Sequence, residues 1–302
     1  MRLKSTAIFL VLIHVSFAQV SFPGMDLWFH PQTLAMAGGG ECIQSLESDR
    51  FNPAVIRSDG RLFSIGIISY PGDIIAESVS ILLPRKSRTI SVSLRHFGYG
   101  IFEGKDNNNI STENYMSSDS WLSASSTLSD TSKIYATGLN AGIFISNLEK
   151  YQAVVLTMGL GILITLPNDL GKISATIQNG GMPIDHYTGV EENLPIRISF
   201  GGARKLAYLP LELALDAIYY PGENSTRAHL SGVVDFPYHF QLRLGTTSMK
   251  LNQQTTYGVM RDFFADTGFG LSYSFSEYSF DLGTYMYGNG GWASGLGFGL
   301  KF

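Results

Sequence analysis

The chain has 302 residues, of which 44% are hydrophobic, 15% charged and 33 are glycine, with a formal net charge of −4. Globular domains carry about 25% charged residues, and a mean hydropathy of +0.09 is too low for a bundle of membrane helices, so the composition fits neither class. The acidic balance, with a pI near 5.9, argues against a general nucleic-acid binder, and a single cysteine excludes an intrachain disulfide framework or a multi-cysteine metal site.

Residues 1–18 read as a signal peptide. Arg2 and Lys4 form a positive head, Ala7 to Phe17 an apolar stretch, and Ser16-Phe17-Ala18 a small-x-small cleavage site. The run from Ser5 to Ala18 is 14 residues, short of the roughly 20 that a spanning helix needs. Cys42 lies too far downstream to carry a lipid anchor at the cut. The expectation is an exported chain starting at Gln19.

Residues 19–60 follow no strand pattern and are expected to form a plug-like or periplasmic arm ahead of the barrel. Leu34-Ala35-Met36-Ala37 followed by Gly38-Gly39-Gly40 is small and suited to close backbone packing. Asn52-Pro53-Ala54 reads as a turn leading towards the first strand.

Residues 61–302 alternate. Fourteen strands are predicted at 62–70, 74–83, 88–98, 120–128, 133–145, 151–164, 172–180, 195–203, 209–219, 227–235, 238–246, 266–275, 278–287 and 291–302. The alternation is clearest at the end, where Trp292, Leu296, Phe298, Leu300 and Phe302 stand against Ala293, Gly295, Gly297, Gly299 and Lys301. The most apolar stretch, Ala153 to Leu166, has 14 residues with Gly159 and Gly161 inside it, so it is no membrane helix. A membrane chain without helices must close into a barrel, because lipid offers no partner to free backbone groups. The fold class expected is therefore all-β, a transmembrane antiparallel β-barrel. A soluble β-sandwich is the competing fold.

An even strand number suits single-chain bacterial barrels. The three longest gaps, 99–119, 181–194 and 247–265, follow strands three, seven and eleven, so all fall at one end, as outer loops do. The last residue, Phe302, ends an amphipathic strand, and this ending resembles the C-terminal signature of bacterial outer-membrane barrels that the assembly machinery reads. Polar residues predicted on the lumen face are Arg95, Arg197, Glu212, Asp216, Gln241, Arg243, Asp281 and Lys301. Their mixed signs suggest pairing across the lumen.

Several ordered motifs add a family likeness. Ala35-Met36-Ala37-Gly38-Gly39 and Asn52-Pro53-Ala54 are followed by Phe97-Gly98-Tyr99-Gly100, Met158-Gly159-Leu160-Gly161, Asn179-Gly180-Gly181 and Leu194-Pro195. This order resembles the PorV/PorQ family of outer-membrane proteins, relatives of the FadL-type fatty-acid transporters, with a shorter spacer (Glu41 to Phe51) than many FadL-like members. The resemblance implies a bacterial outer-membrane barrel of fourteen strands with its N-terminal segment in or under the lumen. It further implies a non-enzymatic role in type IX-like secretion or surface attachment, with protein partners bound at the outer loops. A FadL-like transporter of hydrophobic molecules is the alternative. Outer-membrane lipid and the assembly machinery are the other expected partners, with no cofactor, metal or nucleic acid.

No enzyme signature accompanies these features. The histidines form no H-E-x-x-H pair, and there is no G-x-S-x-G elbow or P-loop. Ser93 and His96 are three apart on one strand and therefore face opposite sides. Asp185-His186 falls in a predicted outer loop, where a solvated pair is expected.

Overall fold

A computed structural model describes residues 22–302 apart from 107, 130–133, 168–169, 189–191 and 253–258. The signal-peptide expectation, and the first three residues of the arm, lie outside these. Fourteen strands run β1 (Leu62–Tyr70), β2 (Ile74–Arg85), β3 (Arg88–Phe102), β4 (Tyr115–Ser129), β5 (Tyr135–Leu148), β6 (Tyr151–Thr165) and β7 (Lys172–Asp185). They continue with β8 (Arg197–Lys205), β9 (Leu211–Tyr220), β10 (Ser225–Asp235), β11 (Phe240–Thr247), β12 (Thr267–Phe275), β13 (Tyr278–Met286) and β14 (Trp292–Lys301). Each pairs antiparallel with its chain neighbours, and β1 closes on β14 from Leu62↔Lys301 to Ser69↔Ser294, making a closed barrel. Closure leaves no open sheet edge, as lipid requires.

Alternation sorts the side chains between two faces. On β3, Ser91, Ser93, Arg95 and Phe97 are buried inside, while Val92 and Leu94 lie outside at 43% and 52% exposure. Leu139 and Ile143 on β5, Leu156, Leu160 and Ile162 on β6, and Phe280 and Leu282 on β13 continue this apolar outer band. A soluble monomer rarely exposes more than a few hundred Å² of contiguous apolar surface, so the band excludes the sandwich and suits lipid. No helix among the described residues is long and apolar enough to cross a membrane.

Where strand edges differ from those read in the sequence, backbone chemistry explains it. β8 and β9 start just after Pro195-Ile196 and Pro210, because proline cannot donate to a ladder. β11 starts at Phe240 because Tyr238 and His239 hold left-handed turn conformations, with φ of 63° and 64°. β4 begins five residues earlier than expected, at Tyr115; its Ser-rich inner face hid the alternation. β7 runs on to Asp185 through a register shift opposite Met158–Leu160.

The connections after β3, β7 and β11, residues 103–114, 186–196 and 248–266, are the longest and share one end of the barrel, the loop end. The opposite end carries the connections after even-numbered strands, such as 86–87, 236–239 and 276–277, and the start of β1. That is the expected loop asymmetry.

Residues Phe22 to Ile56 fill the lumen as a plug, most of them buried. The plug enters near the loop end, where Phe22 packs on Phe144 and Tyr187. It then forms two short helices, α1 (Pro31–Ala35) and α2 (Ser48–Phe51), before reaching β1 at the other end. His30 caps α1, accepting from Gln32 N at 3.3 Å, and Pro31 occupies the first helical position, where no N–H is needed.

Candidate functional site

The way the plug is seated defines what space the lumen keeps. Along β1 and β11–β14 glycines recur at inward positions, and at several of them plug backbone lies directly on the wall. A Cβ at Gly66 would stand 2.6 Å from the Phe29 carbonyl, and one at Gly297 2.8 Å from His30 Nε2. Side chains at Gly245, Gly268 and Gly283 would collide with the carbonyls of Met36, Leu34 and Pro31. These glycines permit close approach where any side chain would push the plug away.

On β3–β5 the seating is polar. Asp49 accepts from both sides: Arg95 Nη2 approaches its two oxygens at 2.7 Å each, and the Ser93 hydroxyl donates at 2.8 Å. Ser125 Oγ and Asn140 Nδ2 each donate to the Asp49 carbonyl at 3.3 Å. Glu47 accepts from the backbone N–H groups of Phe29 and His30, at 3.1 Å at best, and burial pushes its carboxyl up. A charge-assisted network of this kind is strong when each charge is met.

The residues singled out in the sequence fall into place around this interface. Ala35 and Met36 lie against the glycines of β11 and β12. Gly38 has a φ of +72° and sits under the Trp28 indole, where a Cβ would collide with the ring, and Gly39 lies against His229 and Ser231. Asn52 Oδ1 accepts from Ala54 N at 3.0 Å while Nδ2 donates to the Glu41 carbonyl at 2.9 Å, and Pro53 O accepts from Thr127. Phe302 is 60% exposed, and its N–H donates to Arg61 O at 2.9 Å.

The lumen charges do not chiefly pair across the barrel as expected, because the plug occupies the space between them. Arg95 meets Asp49, Arg197 meets Glu41, Asp216 accepts from Gly40 N at 2.7 Å, and Asp281 accepts from Gln32 Nε2 at 2.9 Å. Arg243 reaches Met36 Sδ and Gln241 Oε1. Glu212 forms an ion pair with a wall residue, Lys172 at 2.8 Å, where both are part-exposed. Lys301 lies 4.0 Å from exposed Asp59.

Above the plug, towards the loop end, a cavity of about 380 Å³ remains, within the roughly 300–1,000 Å³ range of small-molecule sites. Trp28 rises from the plug with its ring 4.9 Å from Tyr285 and stacked at 6.4 Å on Tyr287. Tyr220 faces the cavity from β9, its hydroxyl donating to Asp26 Oδ1 at 3.2 Å. Arg227 lies 4.3 Å over the Tyr220 ring and pairs with Glu223 at 2.7 Å and Asp26 at 3.7 Å. Burial pushes the Asp26 carboxyl up, against the pull of Arg50, Arg197 and Arg227. His229, Asp266 and Thr247 also line it.

Sequence reading missed these cavity residues. One signal was present: the inward positions of β9 and β13 change from small or polar to large at the loop end, through Ile218-x-Tyr220 and Tyr285-x-Tyr287. The barrel backbone is hydrogen-bonded all the way round, but the β7–β8 ladder stops at Gln178↔Arg197, leaving Asn179–Asp185 without β8 partners. Asn179 Nδ2 there donates to Pro195 O and to the plug's Met25 O, both at 3.1 Å.

Ser93 is buried inside while His96 is on the outer face, bonded to Ser120 at 3.0 Å. His186 pairs with Glu192 at 2.7 Å within its loop. No cluster of three or more His, Cys, Asp or Glu with metal-binding geometry occurs among the described residues.

No protein-family model and no curated protein sequence matches the chain. Among solved structures, the crystal structure of the P. putida toluene transporter TodX is similar with a TM-score of 0.60 at 13% identity, covering 91% of this chain and 98% of that one. A TodX monoaromatic hydrocarbon channel deltaS2 mutant is similar with a TM-score of 0.57 at 11% identity, covering 91% and 99%. The motif likeness to PorV/PorQ gains no sequence support from these comparisons, which carry the chain to one conclusion: it has the fold of a fourteen-stranded outer-membrane barrel.

Proposed function

We propose that this protein lies in a bacterial outer membrane and admits small, largely hydrophobic molecules from the loop end, the FadL-like alternative of the sequence reading. The observation that carries it is the aromatic cavity above a seated plug: a lumen filled by side chains would have offered such molecules nothing to enter. The shared fold with a toluene transporter favours the same reading. The secretion reading rests on the ordered motifs, and the two in the plug, Ala35–Gly39 and Asn52–Ala54, are occupied with seating it. Their part in packing accounts for their presence without a protein partner.

The test is uptake of labelled toluene by cells with an outer membrane that express this chain, against cells that express Thr247→Trp. Thr247 lines the cavity, so a tryptophan there fills it, at the loss of the bond its hydroxyl accepts from Met249 N at the base of the loop after β11. Faster uptake with the parent chain, lost in the variant, supports transport. Equal uptake in both, with outer loops that retain a secretion component on a pull-down, would favour the surface-attachment role instead.

A further inference from the structure

If the barrel admits small hydrophobic molecules, a premise taken over from the transport reading, the cavity's polar groups specify the ligand more narrowly than its aromatic walls do. His229 is 6% exposed, and its Nδ1 stands 2.8 Å from the Ala37 carbonyl. A carbonyl only accepts, so Nδ1 carries the hydrogen, and in the neutral ring Nε2 is left as a lone pair. That Nε2 is buried and has no hydrogen-bond partner. Asp266 is 3% exposed, with Oδ1 accepting from the Tyr285 hydroxyl at 2.9 Å. Its Oδ2 is likewise buried and without a hydrogen bond. Lys250 lends Asp266 charge at longer range, but its ammonium donates to Thr267 Oγ1 at 3.2 Å.

Two buried acceptors thus belong to side chains that line one aromatic cavity, and buried acceptors cost free energy until something donates to them. The cations nearby are already engaged: Arg227 by Glu223 and Asp26, and Arg197 by Glu41. We infer that the cavity is built for a small aromatic molecule carrying a hydrogen-bond donor, a hydroxyl or an amine, in preference to a bare hydrocarbon or a carboxylate. The ring packs among Trp28, Tyr220 and Tyr285, and the donor meets Asp266 Oδ2 or His229 Nε2.

Three probes that share a methyl-substituted benzene ring test this by isothermal titration of the purified barrel in detergent: p-cresol, toluene and p-toluate. p-Cresol should bind about tenfold more tightly than toluene, with p-toluate weakest. Asp266→Asn keeps an oxygen for Tyr285 and replaces the free acceptor with a donor, so it should cut p-cresol affinity about tenfold and leave toluene unchanged. His229→Asn gives a second measurement, and heat-modifiable gel migration checks that each variant is folded. Toluene binding as tightly as p-cresol, or a ratio unmoved in both variants, would overturn the donor preference and leave the transport reading standing. p-Toluate binding best would overturn it in favour of Arg197, whose Nη1 has no hydrogen bond. If none of the three binds, the inference and the transport reading fall together.

Discussion

The plug touches two walls that solve the same problem in opposite ways. Towards β11–β14 and β1 the wall gives up side chains at chosen positions, and plug carbonyls rest on Gly66, Gly245, Gly268 and Gly283. Towards β3–β5 the wall supplies Ser93, Arg95, Ser125 and Asn140, and all four converge on Asp49. The glycine wall gains contact by shape and offers little for polar groups to bond: His30, wedged between Gly66 and Gly297, keeps an Nε2 with no partner. The polar wall gains directional bonds, at the risk that losing one partner strands a buried charge. Shape should therefore fail gradually under substitution, and charge abruptly.

The largest effect is expected on the polar wall. Asp49→Ala leaves Arg95, 2% exposed, with Ser123 Oγ at 3.0 Å and, as its remaining charge partner, Glu47 at 3.9 Å, and breaking a buried pair costs about 3–5 kcal/mol. Cys42 reports the outcome. It is the only cysteine, fully buried in the plug, with Sγ 3.2 Å from Ser174 Oγ and its thiol pushed up to about 12 by burial. Maleimide should label it slowly in the parent chain and rapidly in Asp49→Ala. Equal labelling rates would show that the ionic seat does not hold the plug.

A second test addresses the glycine wall through pH. Burial lowers His30 to about 4, with Arg243 adding to the effect and Asp281 opposing it. Below pH 6.5 a released His30 takes up a proton that the seated one refuses, so seating weakens as pH falls from about 6.5 to 4, by at most about 3 kcal/mol. Glu47 and Asp26, raised by burial, act the other way, since a seated plug holds their protons better. His30→Asn isolates the histidine. Its stability relative to the parent, followed by tryptophan fluorescence during urea unfolding in detergent, should improve as pH drops below 6.5. A difference independent of pH would show that the His30 proton is not linked to seating.

The sequence made one half of this comparison legible and concealed the other. Strand positions, closure, loop asymmetry and the inward parity of Arg95, Arg197, Asp216, Arg243 and Asp281 all follow from period-two alternation, which is local. The glycines at 245, 268, 283 and 297 could be placed on the inner face in the same way, but the reason for them could not. The carbonyls they admit belong to Leu34, Pro31 and their neighbours, more than two hundred residues away in the chain. Charge partners were hidden for the same reason: Arg95 and Asp49 are 46 apart, and Gly40 and Asp216 176 apart. Alternation tells which face a residue takes and is silent about what lies across from it. The cavity depends on that missing knowledge, because it is the space the plug leaves over.

A third test, on the glycine wall itself, is Gly283→Ala. Its Cβ would collide with the Pro31 carbonyl, and because the obstacle is backbone, α1 must shift at about 1–3 kcal/mol. Cys42 labelling should rise less than in Asp49→Ala, since a small displacement of α1 leaves the ionic seat intact. Labelling as fast as in Asp49→Ala would mean that the two walls act as one cooperative unit.

The smallest effect separates plug contact from charge as such. Lys172 and Glu212 form an ion pair at 2.8 Å with side chains 35% and 24% exposed, between wall strands and with no plug group in the pair. Water screens such a pair, and it is worth about 0–1 kcal/mol. Glu212→Gln should therefore leave both Cys42 labelling and the urea midpoint close to those of the parent chain. If it released the plug as Asp49→Ala is expected to, lumen charge in general would be holding the seat, and the convergence of four side chains on Asp49 would lose its special role. A silent Glu212→Gln beside a disruptive Asp49→Ala assigns the effect to contact with the plug, because both substitutions remove one carboxylate from an ion pair and differ in what that carboxylate holds.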